Sequence, residues 1–165
     1  MTFTTIQGSG ANDATSYIGT SGVDSIVFAN SEGGTYVGGR EDADVVNYVN
    51  SGSALYTSVV QDSTLNLGKG NDQVTSGANA TVFSNFNYAG NDGDDTLTLG
   101  VTAADTVLAG YLKGGAGDDT LFTGGLTSML VNGNAGDDAV TINRASFTST
   151  ANGGQGTDTI SITGN

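Results

Sequence analysis

The chain has 165 residues, with 27 Gly, no Pro, Cys, His or Trp, and 17 acidic against 4 basic side chains, a formal charge of −13. Without Cys or His there is no disulfide frame, zinc site, thiol nucleophile or imidazole base, so any chemistry here is that of oxygen. The acid is almost wholly Asp, with Glu32 and Glu41 the only glutamates, and such a chain repels polyanions. That argues against nucleic acid and anionic membrane surfaces as partners and in favour of cations. No run approaches the roughly 18 apolar residues of a spanning helix, so no membrane insertion is expected, and the start, MTFTTIQGSG, lacks the basic and apolar regions of a signal peptide.

In chain order, a half-formed cluster GSGANDATS begins at Gly8. GTSGVDSIVF follows from Gly19, GREDADVVNY from Gly39 and LGKGNDQVT from Leu67. Four better copies come next: GNDGDDTLTL from Gly90, GGAGDDTLF from Gly114, GNAGDDAVTI from Gly133 and GGQGTDTISI from Gly153. Numbering each turn from its first residue, the sixth place holds Asp24, Asp44, Asp72, Asp95, Asp119, Asp138 and Asp158, at intervals of 20, 28, 23, 24, 19 and 20. After each Asp comes an alternating segment such as Thr96-Leu97-Thr98-Leu99, with its apolar residues on one strand face. A second strand precedes the next cluster, as in Ser63–Leu67, Ser84–Tyr88 and Ser128–Val131.

Two strands and two turns in about twenty residues make one coil of a parallel β-solenoid, an all-β fold of stacked repeats. One rung cannot bury its own apolar face, but stacking at about 4.8 Å lines up Leu97, Leu99, Leu121, Val140, Ile142, Ile160 and Ile162 as ladders. About seven rungs, roughly 35 Å of coil, are expected in a single domain over 1–165, degenerate over 1–88 and well formed over 89–165. Phe28, Tyr48, Phe86, Tyr88 and Phe122 are expected to face inward. An antiparallel sandwich fits less well, because its hairpins do not require one six-residue turn to recur in register.

The pattern G-G-x-G-x-D followed by an alternating apolar segment resembles the nonapeptide of the RTX calcium-binding β-roll, closely over 88–165 and loosely over 8–75. The resemblance implies turns whose main-chain carbonyls and Asp side chains hold Ca²⁺ between adjacent rungs. Carried onto this sequence, it selects Asp95, Asp119, Asp138 and Asp158, with carbonyls near Gly93, Gly115, Gly117, Gly136, Gly154 and Gly156. It extends less closely to Asp72, Asp44 and Asp24. In the early copy GREDAD, which has lost glycines, Arg40 could take the cationic position instead.

The residues argue the same way without the resemblance. Glycine-rich turns lose backbone entropy on folding, which is reasonable where φ > 0 or close approach is needed. A donor set of hard oxygens suits Ca²⁺ better than Mg²⁺, which holds its water and demands a tighter octahedron. Carboxylates stacked about 5 Å apart repel by about 1 kcal/mol in water and several times more at an effective dielectric of 20, and a divalent ion between them reverses the sign. The competing reading is that the Asp residues only cap turns through side-chain hydrogen bonds. The fifth-place acids Asp94, Asp118 and Asp137 are expected to point to solvent.

These features suggest a non-enzymatic, calcium-binding structural protein of an extracellular or cell-surface assembly, of the adhesin or surface-layer type. A glycosidase pair of acids is conceivable, but every acid pair here belongs to a turn and the coil leaves little room for a cleft. An accessory RTX module of a secreted enzyme would need an enzyme beside it, which these residues do not contain. An ice-binding array would need regular third places, which read Ser21, Glu41, Lys69, Asp92, Ala116, Ala135 and Gln155. The lack of a signal peptide, and of a separate C-terminal secretion segment, also admits a phage capsid or tail decoration protein, placing it in a virion. Neither end shows a polar cap, so contact with another copy or a larger assembly is expected.

Overall fold

A computed structural model describes residues 2–7, 16–20, 22–29, 32–33, 36–38, 41–49, 58–76, 81–99, 106–145 and 148–163. In chain order its strands are β1 (Thr2–Gln7), β2 (Ser16–Ile18), β3 (Asp24–Ala29), β4 (Glu32–Gly33), β5 (Tyr36–Gly38), β6 (Val45–Val49), β7 (Ser58–Gln61) and β8 (Thr64–Lys69). There follow β9 (Gln73–Ser76), β10 (Thr81–Asp92), β11 (Thr96–Leu99), β12 (Thr106–Ala116), β13 (Thr120–Ala135), β14 (Ala139–Ala145), β15 (Thr150–Gln155) and β16 (Thr159–Ile162). Among the described residues there is no helix, and hence none long and apolar enough to cross a membrane.

Every pairing is parallel and joins a strand to its counterpart one coil away, which makes the chain a parallel β-solenoid. The strands that follow the Asp turns stack as β1-β3-β6-β9-β11-β13-β14-β16. Those that lead into the turns stack as β2-β5-β8-β10-β12-β13-β15. The expected seven rungs differ slightly from the observed coil of about five turns.

The lead-in strand is not a single straight segment. Asp62, Asn85, Ala109 and Ser128 adopt φ of 52°, 51°, 50° and 55°, a left-handed corner repeated from coil to coil. Before this corner lies a third column, β4-β7 continuing into the first residues of β10, β12 and the middle of β13. The coil therefore has three short faces where two strands were expected. Asn85 Nδ2 donates to Asp62 Oδ1 at 2.8 Å, linking two corners side chain to side chain.

The core is the axis enclosed by these faces. Val46, Val74, Leu97, Leu121 and Val140 lie opposite one another in successive rungs and are at most 1 % exposed. From the other faces Val60, Phe83, Val107 and Leu126, and Leu65, Phe86, Tyr88, Leu112 and Val131, meet them. Phe83 and Phe86 pack edge to face with centroids 5.1 Å apart. Fully burying one such aliphatic side chain stabilises by about 1.5–3 kcal/mol. Phe122 departs from expectation, since its ladder partners are Thr98 and Thr141, on the outer face, while its neighbours Leu121 and Thr123 fill the core. The side chains of Phe28 and Tyr48 lie outside the described set.

Leu121→Ala removes a ladder member packed on both sides and is expected to destabilise by about 2–5 kcal/mol. Thr98→Ala, on the outer face of the same sheet, is expected to stay within about 0.5 kcal/mol. Urea denaturation of both variants in calcium checks the inward and outward assignment.

Candidate metal centre

The seven sixth-place aspartates form one unbroken column. The backbone N–H of Asp24 donates to Asp44 Oδ1 at 2.8 Å, that of Asp44 to Asp72 at 2.6 Å, and that of Asp72 to Asp95 at 2.8 Å. Asp95 donates likewise to Asp119 at 2.8 Å, Asp119 to Asp138 at 2.9 Å, and Asp138 to Asp158 at 3.0 Å. Each carboxylate from Asp44 to Asp158 thus accepts from the rung before it. All except Asp158 are buried, with Asp72, Asp95 and Asp119 only 1 % exposed.

The fifth place carries a second ladder of opposite direction. Asn71 Oδ1 accepts from Asp94 N–H, Asp94 Oδ1 from Asp118 N–H, Asp118 Oδ1 from Asp137 N–H and Asp137 Oδ1 from Thr157 N–H, at 2.7–3.0 Å. These side chains are exposed, as the sequence suggested, yet each also binds the rung after it. Asp118-Asp119 therefore ties its turn to both neighbours at once. From Asp44 onward the aspartates do cap turns, but the bonds run between rungs and use one oxygen per carboxylate.

The other oxygen is left over. Oδ2 of Asp72, Asp95, Asp119 and Asp138 is buried with no hydrogen-bond partner. Burying an ionised carboxylate without a partner is costly, so the group is driven towards its neutral form. Burial, against the opposing pull of the Asp44 N–H, pushes Asp72 up to about 7. Burial likewise raises Asp119 to about 7 and Asp95 to about 6, and moves Asp44 and Asp138 upwards. Neighbouring carboxylates in the column add to the rise for Asp44, Asp72, Asp119 and Asp138.

The glycines shape the space around this oxygen. A β-carbon on Gly90 would collide with Asp95 Oδ2 and lie 2.7 Å from the Gly114 carbonyl oxygen. Gly114 stands in the same relation to Asp119 and Gly133, and Gly133 to Asp138 and Gly153. First-place glycines are thus required because the aspartate Oδ2 lies where a β-carbon would stand, and their carbonyls were not among those expected from the sequence. The fourth-place glycines Gly93, Gly117, Gly136 and Gly156 have φ between 127° and 134°, and a side chain on any of them would strike the preceding fourth-place carbonyl, that of Gly70 in the case of Gly93. Gly115 and Gly154 occupy the second place at φ of 143° and 124°, where Asn91 and Asn134 stand in at 83° and 84°.

The selected residues are therefore brought together as one edge of the solenoid, with Asp95, Asp119, Asp138 and Asp158 in line beside glycine carbonyls. Among the described residues no group of three or more Asp, Glu, His or Cys converges on a point. One carboxylate per rung is available, so a cation here would have to be completed by main-chain oxygen. The turn of Asp24 differs, because its Oδ2 accepts from Thr20 N–H at 2.6 Å and Thr20 Oγ1 at 3.2 Å. Gly39 and Arg40, in the Asp44 turn, and the copy from Gly8 lie outside the described residues apart from its Leu-less tail at Ser16. No family model matches the chain, and no curated protein or solved structure matches it either.

Two outcomes follow from this geometry. Gly114→Ala places a methyl group on Asp119 Oδ2 and should destabilise by about 1–3 kcal/mol or more, measured by urea denaturation. In chelator the protein should be more stable near pH 4–5 than near pH 8. An unfolded aspartate titrates near 3.9, so the folded chain holds these protons more tightly. Their contribution is full below about pH 4 and is lost as pH rises through 6 to 7, the values of Asp95, Asp72 and Asp119. Thermal melts across that range in EDTA, which gives way to EGTA above pH 7, test the direction.

Proposed function

We propose that this chain is a calcium-stiffened, RTX-like structural solenoid, non-enzymatic, working outside cells in a surface assembly. The observation that carries the reading is the buried, unpartnered Oδ2 repeated along the Asp column beside glycine carbonyls. The donor set fits the ion. Ca²⁺ accepts six to eight hard oxygens at about 2.3–2.6 Å without strict geometry, and carboxylates with main-chain carbonyls are its usual ligands. Asp95, Asp119, Asp138 and Asp158 with the glycine turns around them would hold it, and the bound ion would supply positive charge to neutralise the column. Millimolar calcium, found outside cells, suits such sites.

On this reading binding and folding are linked, since the charged column is unfavourable in the solenoid and harmless in an open chain. Saturating a site to about 100 times its Kd adds about 2.7 kcal/mol per ion. The chain should show a parallel-β circular dichroism spectrum in millimolar Ca²⁺ at pH 8 and lose most of it in EGTA. An unchanged spectrum would defeat the linkage. Asp119→Asn keeps the Oδ1 acceptor and removes the charge, so it should raise stability in EGTA at pH 8 and lower it in calcium. A change of the same sign in both conditions would leave turn capping as the whole role of the column.

Assembly is supported by the last described rung. Ile160 and Ile162 are 43 % and 58 % exposed, whereas their ladder partners Val140 and Ile142 are 1 % exposed. Among the described residues β16 pairs with β14 alone, and an open strand edge with an apolar flank recruits a further strand. We propose that another copy or a larger surface or virion assembly covers it. Sedimentation velocity in calcium should show concentration-dependent association that Ile160→Lys/Ile162→Lys abolishes; a monomer at all concentrations would exclude it.

A further inference from the structure

The turns are not equivalent, and their differences locate the ends of the cation row. The first-place column runs Leu67, Gly90, Gly114, Gly133, Gly153, each residue lying between ladder pairs of adjoining rungs. In the last four positions a glycine lets Oδ2 of its own turn's aspartate lie against the backbone, in the space where a β-carbon would stand. At Gly90, Gly114 and Gly133 the same space is bordered by the first-place carbonyl of the next rung. Three cradles therefore contain both an unpartnered carboxylate oxygen and a second-rung carbonyl: Asp95 with Gly114, Asp119 with Gly133, and Asp138 with Gly153.

The row stops towards the N-terminus for two separate reasons. Leu67 carries a β-carbon and a fully buried side chain where the later turns have glycine, so Asp72 Oδ2 cannot take the place that Asp95 Oδ2 takes against Gly90. In the turn of Asp24 the backbone and hydroxyl of Thr20, in the second place, already hold Oδ2. Thr20 Oγ1 is tied further to Gly22, accepting its N–H at 3.3 Å and lying 3.2 Å from its carbonyl oxygen. That turn is closed by its own hydrogen bonds. Asp158 Oδ2 likewise lies against Gly153, but among the described residues no next-rung carbonyl borders it.

We propose that the complete calcium sites are the three inter-rung cradles of Asp95, Asp119 and Asp138, and that Leu67 and Thr20 close the turns of Asp72 and Asp24 against the ion. This rests on the calcium reading above and sharpens it from a column of seven aspartates to a bounded row. Thr20 and Leu67 act by occupying the position, one with a donor and the other with bulk.

Native mass spectrometry and calorimetry with calcium chloride on the full chain test it through stoichiometry. Asp95→Asn, Asp119→Asn and Asp138→Asn are each expected to bind one ion fewer than the native chain. Asp24→Asn and Asp72→Asn are expected to bind the same number; the variants at Asp72, Asp95, Asp119 and Asp138 keep an oxygen for the inter-rung N–H. Leu67→Gly, held folded by excess calcium and checked by circular dichroism, is expected to bind one more; if it does not fold, the Asp72→Asn count decides. Loss of an ion in Asp24→Asn or Asp72→Asn, or no loss in the other three, overturns the boundary while leaving calcium binding intact. A native chain that binds no calcium overturns the calcium reading itself.

Discussion

One carboxylate with two differently treated oxygens governs this molecule. From Asp44 onward, Oδ1 of each sixth-place aspartate receives the amide of the preceding rung, and that bond repeats across the described turns. Oδ2 of Asp72, Asp95, Asp119 and Asp138 is turned away from water and bonded to nothing in the chain. The first oxygen welds rung to rung and thereby forces the second into a row. What stabilises the stack geometrically is what burdens it electrostatically, and the calcium reading follows from that conflict.

The coil was legible in the sequence because its two signals have fixed physical periods. Alternation after each Asp marks a strand with one buried face, and Val46, Val74, Leu97, Leu121 and Val140 duly form one ladder. The Asp column was legible for the same reason, and so was the need for glycine in the turns from Leu67 onward, whose second- and fourth-place glycines have positive φ. The left-handed corner was not. It is occupied by Asp62, Asn85, Ala109 and Ser128, residues with no shared chemistry, and an alanine at φ of 50° gives no compositional warning.

Other features were hidden by their chemistry. Two adjacent acids look alike in sequence, yet Asp118 accepts from the rung ahead and Asp119 from the rung behind. Their opposite roles come from the direction in which each side chain leaves the turn, which no residue type encodes. The first-place glycines also went unread as functional, because a missing β-carbon becomes informative once the atoms that would collide with it are known. Phe122 was placed in the core on hydrophobicity, whereas strict alternation from Leu121 already sends it outward.

Because the inter-rung links belong to the turns, the strands need not measure out equal lengths of chain. Successive aspartates are separated by 19 to 28 residues, and the same amide-to-carboxylate bond forms at every step. Each turn resets the phase of the helix, so a longer or shorter connection on the opposite side is absorbed locally instead of accumulating as slippage. Such a scaffold tolerates grafted loops between its turns, provided that the glycine bend and its aspartate are left as they are.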